Sequence, residues 1–245
     1  MPLLAERQMT LTEHFIRTQM LIKEEGLKRL ERARILLFGV GGVGGHAAEA
    51  LVRSGIGSIT IVDNDTVAPS NINRQLIATT HSIGRKKTEV IKERIHSINP
   101  SCEVITHDLF YLPGTQDIIT EEYDYVLDAI DTVSAKIDII EKAQAMHIPI
   151  ISCMGTGNKL QPELLCIEDI YKTSVCPLCR VMRHELKKRN IEKLTVVYSP
   201  EKPLKPLLPD DLIGSRTPGS IAFVPPVAGL LMASHVVRDL IKETK

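Results

Sequence analysis

The sequence predicts an α/β protein with a Rossmann-like, doubly wound and mostly parallel sheet, an N-terminal helical region and a C-terminal strand–helix extension. Between residues 34 and 153, short apolar runs alternate with segments of helical periodicity, which is typical of a parallel sheet covered by helices. A glycine-rich turn follows the first apolar run, where a Rossmann-type fold holds phosphate. The 245 residues are enough for one large domain.

The elements of the first half are predicted from periodicity. Thr12 to about Leu30 carries apolar residues at helical spacing and predicts an amphipathic helix. Later apolar runs predict buried parallel strands, and the segments between them have one apolar face. The predicted strands are 34–40, 58–62, 103–106, 123–130 and 148–153, and the predicted helices run from the glycine turn to 54 and over 84–98 and 135–146.

The alternation of strands and helices breaks in the second half. A strand is predicted at 164–167, a basic helix at 177–190, and an extended, proline-rich excursion at 199–218. A last strand is expected at 220–224, followed by a helix to about Glu243 that two prolines can begin. We expect a single domain, 1–245, composed of an N-terminal helix (10–33), a nucleotide-binding core (34–153), a variable substrate or crossover region (154–219) and a closing strand and helix (220–245).

Composition argues against several classes of protein. The formal net charge is zero, so a polyanion would need a local basic patch. Five scattered cysteines argue against a disulfide framework and for a reducing compartment. The N-terminus lacks the pattern of a signal peptide, and the apolar stretch 221–237 is too short and broken to span a bilayer. We therefore expect a soluble, cytoplasmic protein.

A glycine-rich turn indicates nucleotide binding. Gly39, Gly41 and Gly44 satisfy G-x-G-x-x-G between a strand and a helix, with Gly42 inside the same turn. Such glycines permit close backbone approach, and the helix N-terminus offers free N–H groups to phosphate. Asp63 ends the next strand, where a carboxylate can bind a ribose hydroxyl. These features alone also fit an NAD-dependent oxidoreductase, or a turn that only packs strand on helix.

Charged side chains after Asp63 favour a triphosphate over a dinucleotide. Arg74 and Lys87 follow within about two dozen residues, and Asp65 and Asn71 are further candidate nucleotide contacts. Two cations and an amide suit a nucleotide whose leaving pyrophosphate gains charge in the transition state. Lys87 is expected in the first turn of a helix, where the helix dipole disfavours a cation unless an anion lies nearby.

Two aspartates are candidates for the carboxyl edge of the sheet. Asp131 comes just after a predicted strand, at the edge where open α/β sheets bind ligands. A carboxylate there can hold Mg²⁺ that bridges phosphate oxygens. Asp128 is a second candidate. The alternative is that one of the two caps the following helix.

In these motifs the chain resembles the ThiF/MoeB/HesA superfamily, the adenylating enzymes that are similar to ubiquitin-activating enzymes. The matching segments occur in the family's order and spacing and span about two-thirds of the chain. They are GVGGVGG (39–45), IVDNDTV (61–67), SNINRQ (70–75), GRKK (84–87) and LDAIDT (127–132), with an N-terminal Phe-x-Arg at 15–17.

The resemblance implies a role for each matching polar residue. It implies Asp63 on the ribose and both Arg74 and Lys87 on the phosphates. It implies Asp131 near Mg²⁺, and Arg17 as an arginine that reaches the partner's nucleotide across a homodimer. Taken alone, Arg17 fits a solvated helix charge equally well. ATP and Mg²⁺ are therefore the expected cofactors, and adenylation of a carboxylate is the expected reaction.

The second half resembles the TcdA (CsdL) branch of the superfamily, the tRNA threonylcarbamoyladenosine dehydratases. The matching segments are MGTGNKLQPE (154–163), DIYKTSVCPL (169–178) and RVMRHELKKR (180–189). This resemblance implies adenylation of the threonyl carboxylate of a modified tRNA base, followed by ring closure and release of AMP. Two alternatives remain. One is adenylation of a ubiquitin-like sulfur-carrier protein, with a sulfur-transfer partner, and the other is NAD-dependent oxidoreduction.

A CxxC pair, Cys176 and Cys179, accompanies these motifs. Structural zinc needs four ligands, and the closing segment 221–245 contains no cysteine, which disfavours zinc and weakens the sulfur-carrier alternative. One of the pair, or Cys166, could be a nucleophile if a nearby arginine lowered its pKa. Ring closure on the substrate requires no enzyme nucleophile, so structural cysteines are favoured.

The predicted basic helix is a candidate RNA contact. Arg180, Arg183 and Lys187 share one of its faces at three- and four-residue spacing. On a neutral protein this face is the best local footprint for an RNA backbone, although a solvated charged face is the alternative. The family resemblance favours tRNA. No aromatic residues interleave with the cations, so base stacking is not expected there.

Overall fold

The computed structural model describes residues 11–205 and 218–242. Its helices and strands alternate along the first half and become less regular in the second. In chain order they are α1 (Leu11–Arg32), β1 (Arg34–Phe38), α2 (Gly44–Ser54), β2 (Ser58–Val62), α3 (Lys87–Ile98), β3 (Glu103–His107), β4 (Tyr125–Asp128), α4 (Val133–Ala145), β5 (Ile150–Cys153), β6 (Cys166–Asp169), α5 (Pro177–Lys188), β7 (Thr195–Tyr198) and α6 (Val224–Leu240).

The described strands form one sheet in the order β3-β2-β1-β4-β5-β7-β6. All neighbouring strands are parallel except β6, which runs antiparallel to β7. The chain builds outward from β1 to β3 and then crosses back to β4, so the strand order reverses between β1 and β4. Open α/β sheets bind ligands beyond the carboxyl ends of the strands at such a point. The predicted doubly wound, mostly parallel fold is confirmed.

Helices cover both faces of the sheet. Successive residues of β1 point to opposite faces, and Ile35 and Leu37 are fully buried in the cluster beneath α1, α2, α3 and α6. Leu36 and Phe38 are fully buried in a second cluster, beneath α4 and α5. Each such side chain contributes about 1.5–3 kcal/mol when it leaves water. The central strands are therefore anchored from both sides, which fixes the position of their carboxyl ends.

The strand predicted at 220–224 is wrong. Residues 220–223 form no strand, and α6 begins at Val224. Pro225 and Pro226 lie in the first helical turn, where the missing N–H groups are not needed. A strand that was not predicted, β7, lies beside β5.

Other differences concern element boundaries. The strand predicted at 164–167 lies at Cys166–Asp169, after a 3₁₀ turn over Pro162–Leu164. The helix predicted from Gly84 begins three residues later, at Lys87. Most of the predicted extended excursion falls on 206–217, outside the described residues. None of the helices in the described segments has both the length and the apolar character that crossing a membrane requires.

Candidate nucleotide-binding site

A cavity of about 740 Å³ lies at the carboxyl edge of the sheet, at the reversal of strand order. Its volume is within the range of small-molecule pockets, roughly 300–1,000 Å³. The glycine turn after β1 and the segments that follow β2, β3, β4 and β5 form its walls. Most of the predicted nucleotide contacts line it: Gly39, Gly41, Gly42, Asp63, Asp65, Asn71, Arg74, Lys87 and Asp131.

The glycine turn is held by two close backbone approaches. Gly39 has φ +85, and a Cβ at this residue would lie 2.9 Å from the Ala129 carbonyl oxygen. A Cβ at Gly44 would lie only 1.8 Å from the carbonyl oxygen of Gly39. Gly44 is not among the residues that line the cavity. It closes the turn, whereas Gly39, Gly41 and Gly42 line the cavity.

Asp63 ties the glycine turn to the next strand. One carboxylate oxygen, Oδ2, accepts the Val40 N–H at 2.8 Å, and Oδ1 accepts the Asp65 N–H at 2.8 Å. Each oxygen retains a further lone pair. The carboxylate is thus fixed at the cavity wall with acceptor capacity left for a hydroxyl group.

Lys87 is a buried cation at the N-terminus of α3. Its side chain is 5% exposed, and its Nζ donates to Asp65 Oδ2 at 2.7 Å. The Lys87 backbone N–H also donates to the Asp65 carbonyl oxygen at 3.0 Å. The helix dipole disfavours a cation at this position. The negative charge of the Asp65 carboxylate, which is 60% exposed, offsets part of this unfavourable interaction. An anionic ligand would offset it further.

Arg74 and its neighbours form another wall. The half-buried Arg74 donates from Nη1 to the Ser70 carbonyl oxygen at 2.9 Å and to Asn73 Oδ1 at 2.8 Å. Asn71 Oδ1 accepts the Ala68 N–H at 3.1 Å.

The buried Gln75 Oε1 has no hydrogen-bond partner within the described residues. Gln75 also lines the cavity, and an unsatisfied buried acceptor there suits a ligand that carries N–H or O–H donors.

Asp131 is the predicted metal-binding carboxylate. It is exposed at the cavity, and no hydrogen bond or ion pair from the described residues reaches its carboxylate. Within the same residues, no group of three or more His, Cys, Asp or Glu side chains could hold a metal. Mg²⁺ needs only one or two protein carboxylates when phosphate oxygens and water complete its shell. The donor set therefore fits Mg²⁺ that arrives with a nucleotide.

Asp128 is not placed in the cavity. Its side chain is fully buried and pairs with the equally buried Lys136 Nζ at 2.9 Å. It also accepts hydrogen bonds from the Ser152 hydroxyl and from the Ile130 N–H. Its prediction as a nucleotide contact is therefore corrected: the carboxylate neutralises a buried lysine at the ends of β4 and β5.

The remaining predicted positions lie away from the cavity. Arg17 is exposed on α1 and does not line the cavity of its own chain. On α5, Arg183 donates to the Thr173 carbonyl oxygen at 3.0 Å and also to its hydroxyl, so this guanidinium is turned toward the protein. The side chains of α5 that stay exposed on one stripe are Arg180, His184 and Lys187.

Several cavity residues were not predicted. Residues 109–111 after β3 and 153–157 after β5 line the cavity, as do Leu178 of α5, Ser220 and Pro225. The signal that could have identified the first two segments is general: they follow strands of a parallel sheet, whose carboxyl ends meet at one edge.

The sequence matches the ThiF family over residues 16–245. It is 42% identical over 243 residues to a Bacillus subtilis protein named tRNA threonylcarbamoyladenosine dehydratase, covering 94% of this chain and 95% of that protein. A Haemophilus influenzae protein of the same name is 36% identical, with 89% of this chain and 90% of that protein covered.

Solved structures with the same fold include complexes with nucleotides. The Escherichia coli tRNA N6-threonylcarbamoyladenosine dehydratase, TcdA, in complex with AMP has a TM-score of 0.86 and 33% identity, covering 94% of both chains. Its complex with ATP has a TM-score of 0.84 and 32% identity, with the same coverage. Escherichia coli MccB with ATP, at 20% identity and a TM-score of 0.61, shares the fold over 93% of this chain and 63% of that one.

Proposed function

Because the chain belongs to the ThiF family, we propose that it is an ATP-dependent enzyme that adenylates the carboxylate of threonylcarbamoyladenosine in tRNA. The observation that carries the proposal is Lys87, a buried cation beside a glycine turn in a nucleotide-sized cavity. The names of the Bacillus subtilis and Haemophilus influenzae relatives support this substrate. ATP is supported by the complexes of the Escherichia coli enzyme.

In the first step, a carboxylate oxygen of the substrate attacks the α-phosphorus of ATP and pyrophosphate leaves. Lys87 and Arg74 stabilise the negative charge that develops on the departing phosphates. The N–H groups of the turn at the start of α2 orient the chain of phosphates. Mg²⁺, when bound, neutralises further phosphate charge, and Asp131 is the residue that would hold it.

In the second step, a nucleophilic atom of the modified base attacks the activated carbonyl carbon of the same molecule. A ring forms, the bond to AMP breaks, and the base has lost one water overall. Both reacting groups belong to the substrate, so the protein has to position them and exclude water. Residues 34–153 would handle the nucleotide, and 154–219 the modified base.

The decisive experiment is mass spectrometry of the tRNA product. Incubation of the protein with ATP, Mg²⁺ and tRNA that contains threonylcarbamoyladenosine should yield a nucleoside lighter by one water. ATP binding without this mass change would refute the proposed substrate. Pyrophosphate exchange that requires a ubiquitin-like carrier protein and not tRNA would indicate the sulfur-carrier alternative instead.

We also propose a homodimer in which Arg17 completes the partner's site. Mixing Arg17→Ala and Lys87→Ala proteins, each inactive alone, should restore about a quarter of wild-type activity, because half of the dimers are mixed and each contains one intact site. No recovery, after dimer exchange has been verified with tagged subunits, would contradict a role for Arg17 across the interface.

We propose that the protein is cytoplasmic and that the exposed stripe of α5 contacts the tRNA backbone. Leu178, at the start of α5, lines the cavity, so Arg180 and Lys187 lead away from the site along the helix. Replacing either residue with alanine should weaken tRNA binding. The slope of log binding constant against log salt concentration should also become shallower by about one, which corresponds to the loss of one phosphate contact. Lys188→Ala is the matched control, because this ammonium pairs with Glu185 at 2.7 Å. Equal effects of all three changes would contradict this assignment.

A further inference from the structure

The CxxC pair occupies the first turn of α5. Cys176 is the N-cap of the helix, Pro177 is in the first helical position, and Cys179 follows one turn later. Residues three apart on a helix are side-chain neighbours, so the two thiols lie next to each other at the start of α5. Both cysteines are buried, at 2% and 0% exposure, and both are unbridged thiols.

A buried lysine nearby lacks a carboxylate partner. Lys159 is 3% exposed, and its Nζ donates to the Ser199 carbonyl oxygen at 3.0 Å. No carboxylate of the described residues forms an ion pair with it. A buried ammonium requires a compensating anion, and the positive charge of Lys159 acts on the Cys176 sulfur. The charge of Lys159 therefore favours the thiolate form of Cys176.

The two thiols of the pair have opposite electrostatic environments. The neighbouring Cys179 thiol, followed by backbone amides and the charge of Lys159, holds the pKa of Cys176 well below its ordinary value. The proximity of Cys176, together with burial, raises the pKa of Cys179. Burial also raises the pKa of Cys153, to about 12, and that of the partly exposed Cys166.

We propose that Cys176 and Cys179 form a reversible redox pair, in which Cys176 is the attacking thiolate and Cys179 the resolving thiol. The oxidant is a small peroxide. The Cys176 sulfur attacks one oxygen of hydrogen peroxide, the O–O bond breaks, and the leaving hydroxide takes up a proton to become water. Cys179 then attacks the resulting sulfenic sulfur, the S–O bond breaks, and the disulfide forms with release of a second water. Two electrons pass from the thiols to the peroxide.

The cavity is the side from which a small oxidant would approach. A Cβ at Gly155 would lie 3.9 Å from the Cys176 sulfur, and Gly155 and Leu178 both line the cavity. Exposure alone predicts a different order of reactivity, because Cys166 is the most exposed of the five cysteines. The redox pair instead requires the buried Cys176 to react first.

The test is a time course of oxidation by hydrogen peroxide in the folded protein, followed by alkylation under denaturing conditions and peptide mass spectrometry. The tryptic peptide 173–180 contains both cysteines and should lose two hydrogen atoms, with recovery by dithiothreitol. We expect this reaction to be at least about tenfold faster than oxidation of Cys166, since the thiolate is the reactive form. Faster oxidation of Cys166 would overturn the proposal.

Single variants separate the two roles. In Cys179→Ser, Cys176 should accumulate as a sulfenic acid that dimedone traps, and in Cys176→Ser the remaining Cys179 should stay reduced. Lys159→Met should slow oxidation of the pair by about tenfold if its charge supports the thiolate. Equal reactivity of the two serine variants would overturn the assignment. Circular dichroism identifies variants that fail to fold. If a variant does not fold, the comparison of the pair with Cys166 in the wild-type time course tests the proposal.

Discussion

Two buried lysines at the same edge of the sheet have different surroundings. Lys136, on α4, donates at 2.9 Å to each of three acceptors: Asp128 Oδ2 and the carbonyl oxygens of Ile130 and Cys153. Lys87, on α3, donates within the described residues to one side-chain acceptor, on Asp65. An ammonium has three N–H donors. Lys136 is therefore saturated by the protein, whereas Lys87 keeps donors for a ligand, so burial alone does not identify a binding lysine.

The largest expected effect is on stability, from the saturated lysine. Lys136→Met leaves the Asp128 carboxylate buried and unpaired, which should lower the free energy of unfolding by about 3–5 kcal/mol. Urea denaturation monitored by circular dichroism measures this loss. The double variant Lys136→Met/Asp128→Asn removes both charges and should recover much of the stability. A single variant as stable as wild type would contradict the role assigned to the pair.

The next effect is on catalysis, from the unsaturated lysine. Lys87→Ala should slow AMP formation by on the order of 10²-fold or more, as loss of a donor to developing charge does. The matched control is Lys86→Ala, because this adjacent lysine is only partly buried and pairs with Asp108 at 3.0 Å. We expect the control to retain nearly full activity. Similar losses in both variants would mean that the effect does not come from the cavity.

A smaller effect is expected from the carboxylate proposed to hold Mg²⁺. Asp131→Asn should lower the rate by about tenfold or more and raise the Mg²⁺ concentration needed for half-maximal rate. Asp108→Asn is a control, since it changes another exposed carboxylate that follows a strand. An unchanged Mg²⁺ dependence in Asp131→Asn would remove this residue from the metal site.

The smallest effect concerns His46, which lies in the first turn of α2. Burial, the main cause, lowers its pKa, so the unfolded chain takes up a proton at a higher pH than the folded protein. Stability should therefore be fully present above the ordinary histidine pKa of 6.5 and fall as the pH drops below it. His46→Gln should flatten this dependence in urea titrations between about pH 7 and 5. An unchanged slope would exclude His46 as its source.

The sequence was sufficient to predict the elements of the first half of the fold and many of the residues that line the cavity. The glycine turn, Asp63 and Lys87 were predictable because each is fixed by a short segment next to a strand. The pairing of Asp128 with Lys136 was not, because both residues face the interior across a loop and only the packing of α4 on β4 brings them together. The available signal for a buried ion pair was Lys136 itself, a lysine within an otherwise apolar face of α4.

The second half was harder to predict because its strands are short and their order does not follow the chain. β7, four residues long, lies between β5 and β6, and the edge strand β6 runs antiparallel to it. The apolar residues 221–224 mimic a strand, but the prolines that follow favour a helix start. Thr195–Tyr198, which was not predicted as a strand, pairs with β5 instead.

The packing of α6 has a consequence for dissecting this protein. A Cβ at Gly229 of α6 would lie 2.3 Å from the Val43 carbonyl oxygen, and one at Gly42 would lie 3.1 Å from Pro225. The final helix thus presses directly on the turn proposed to hold phosphate, although some 180 residues separate them along the chain. A fragment that ends at Cys153 would contain every motif for nucleotide binding and still lack the support that shapes the turn, so a protein used for binding measurements has to include α6.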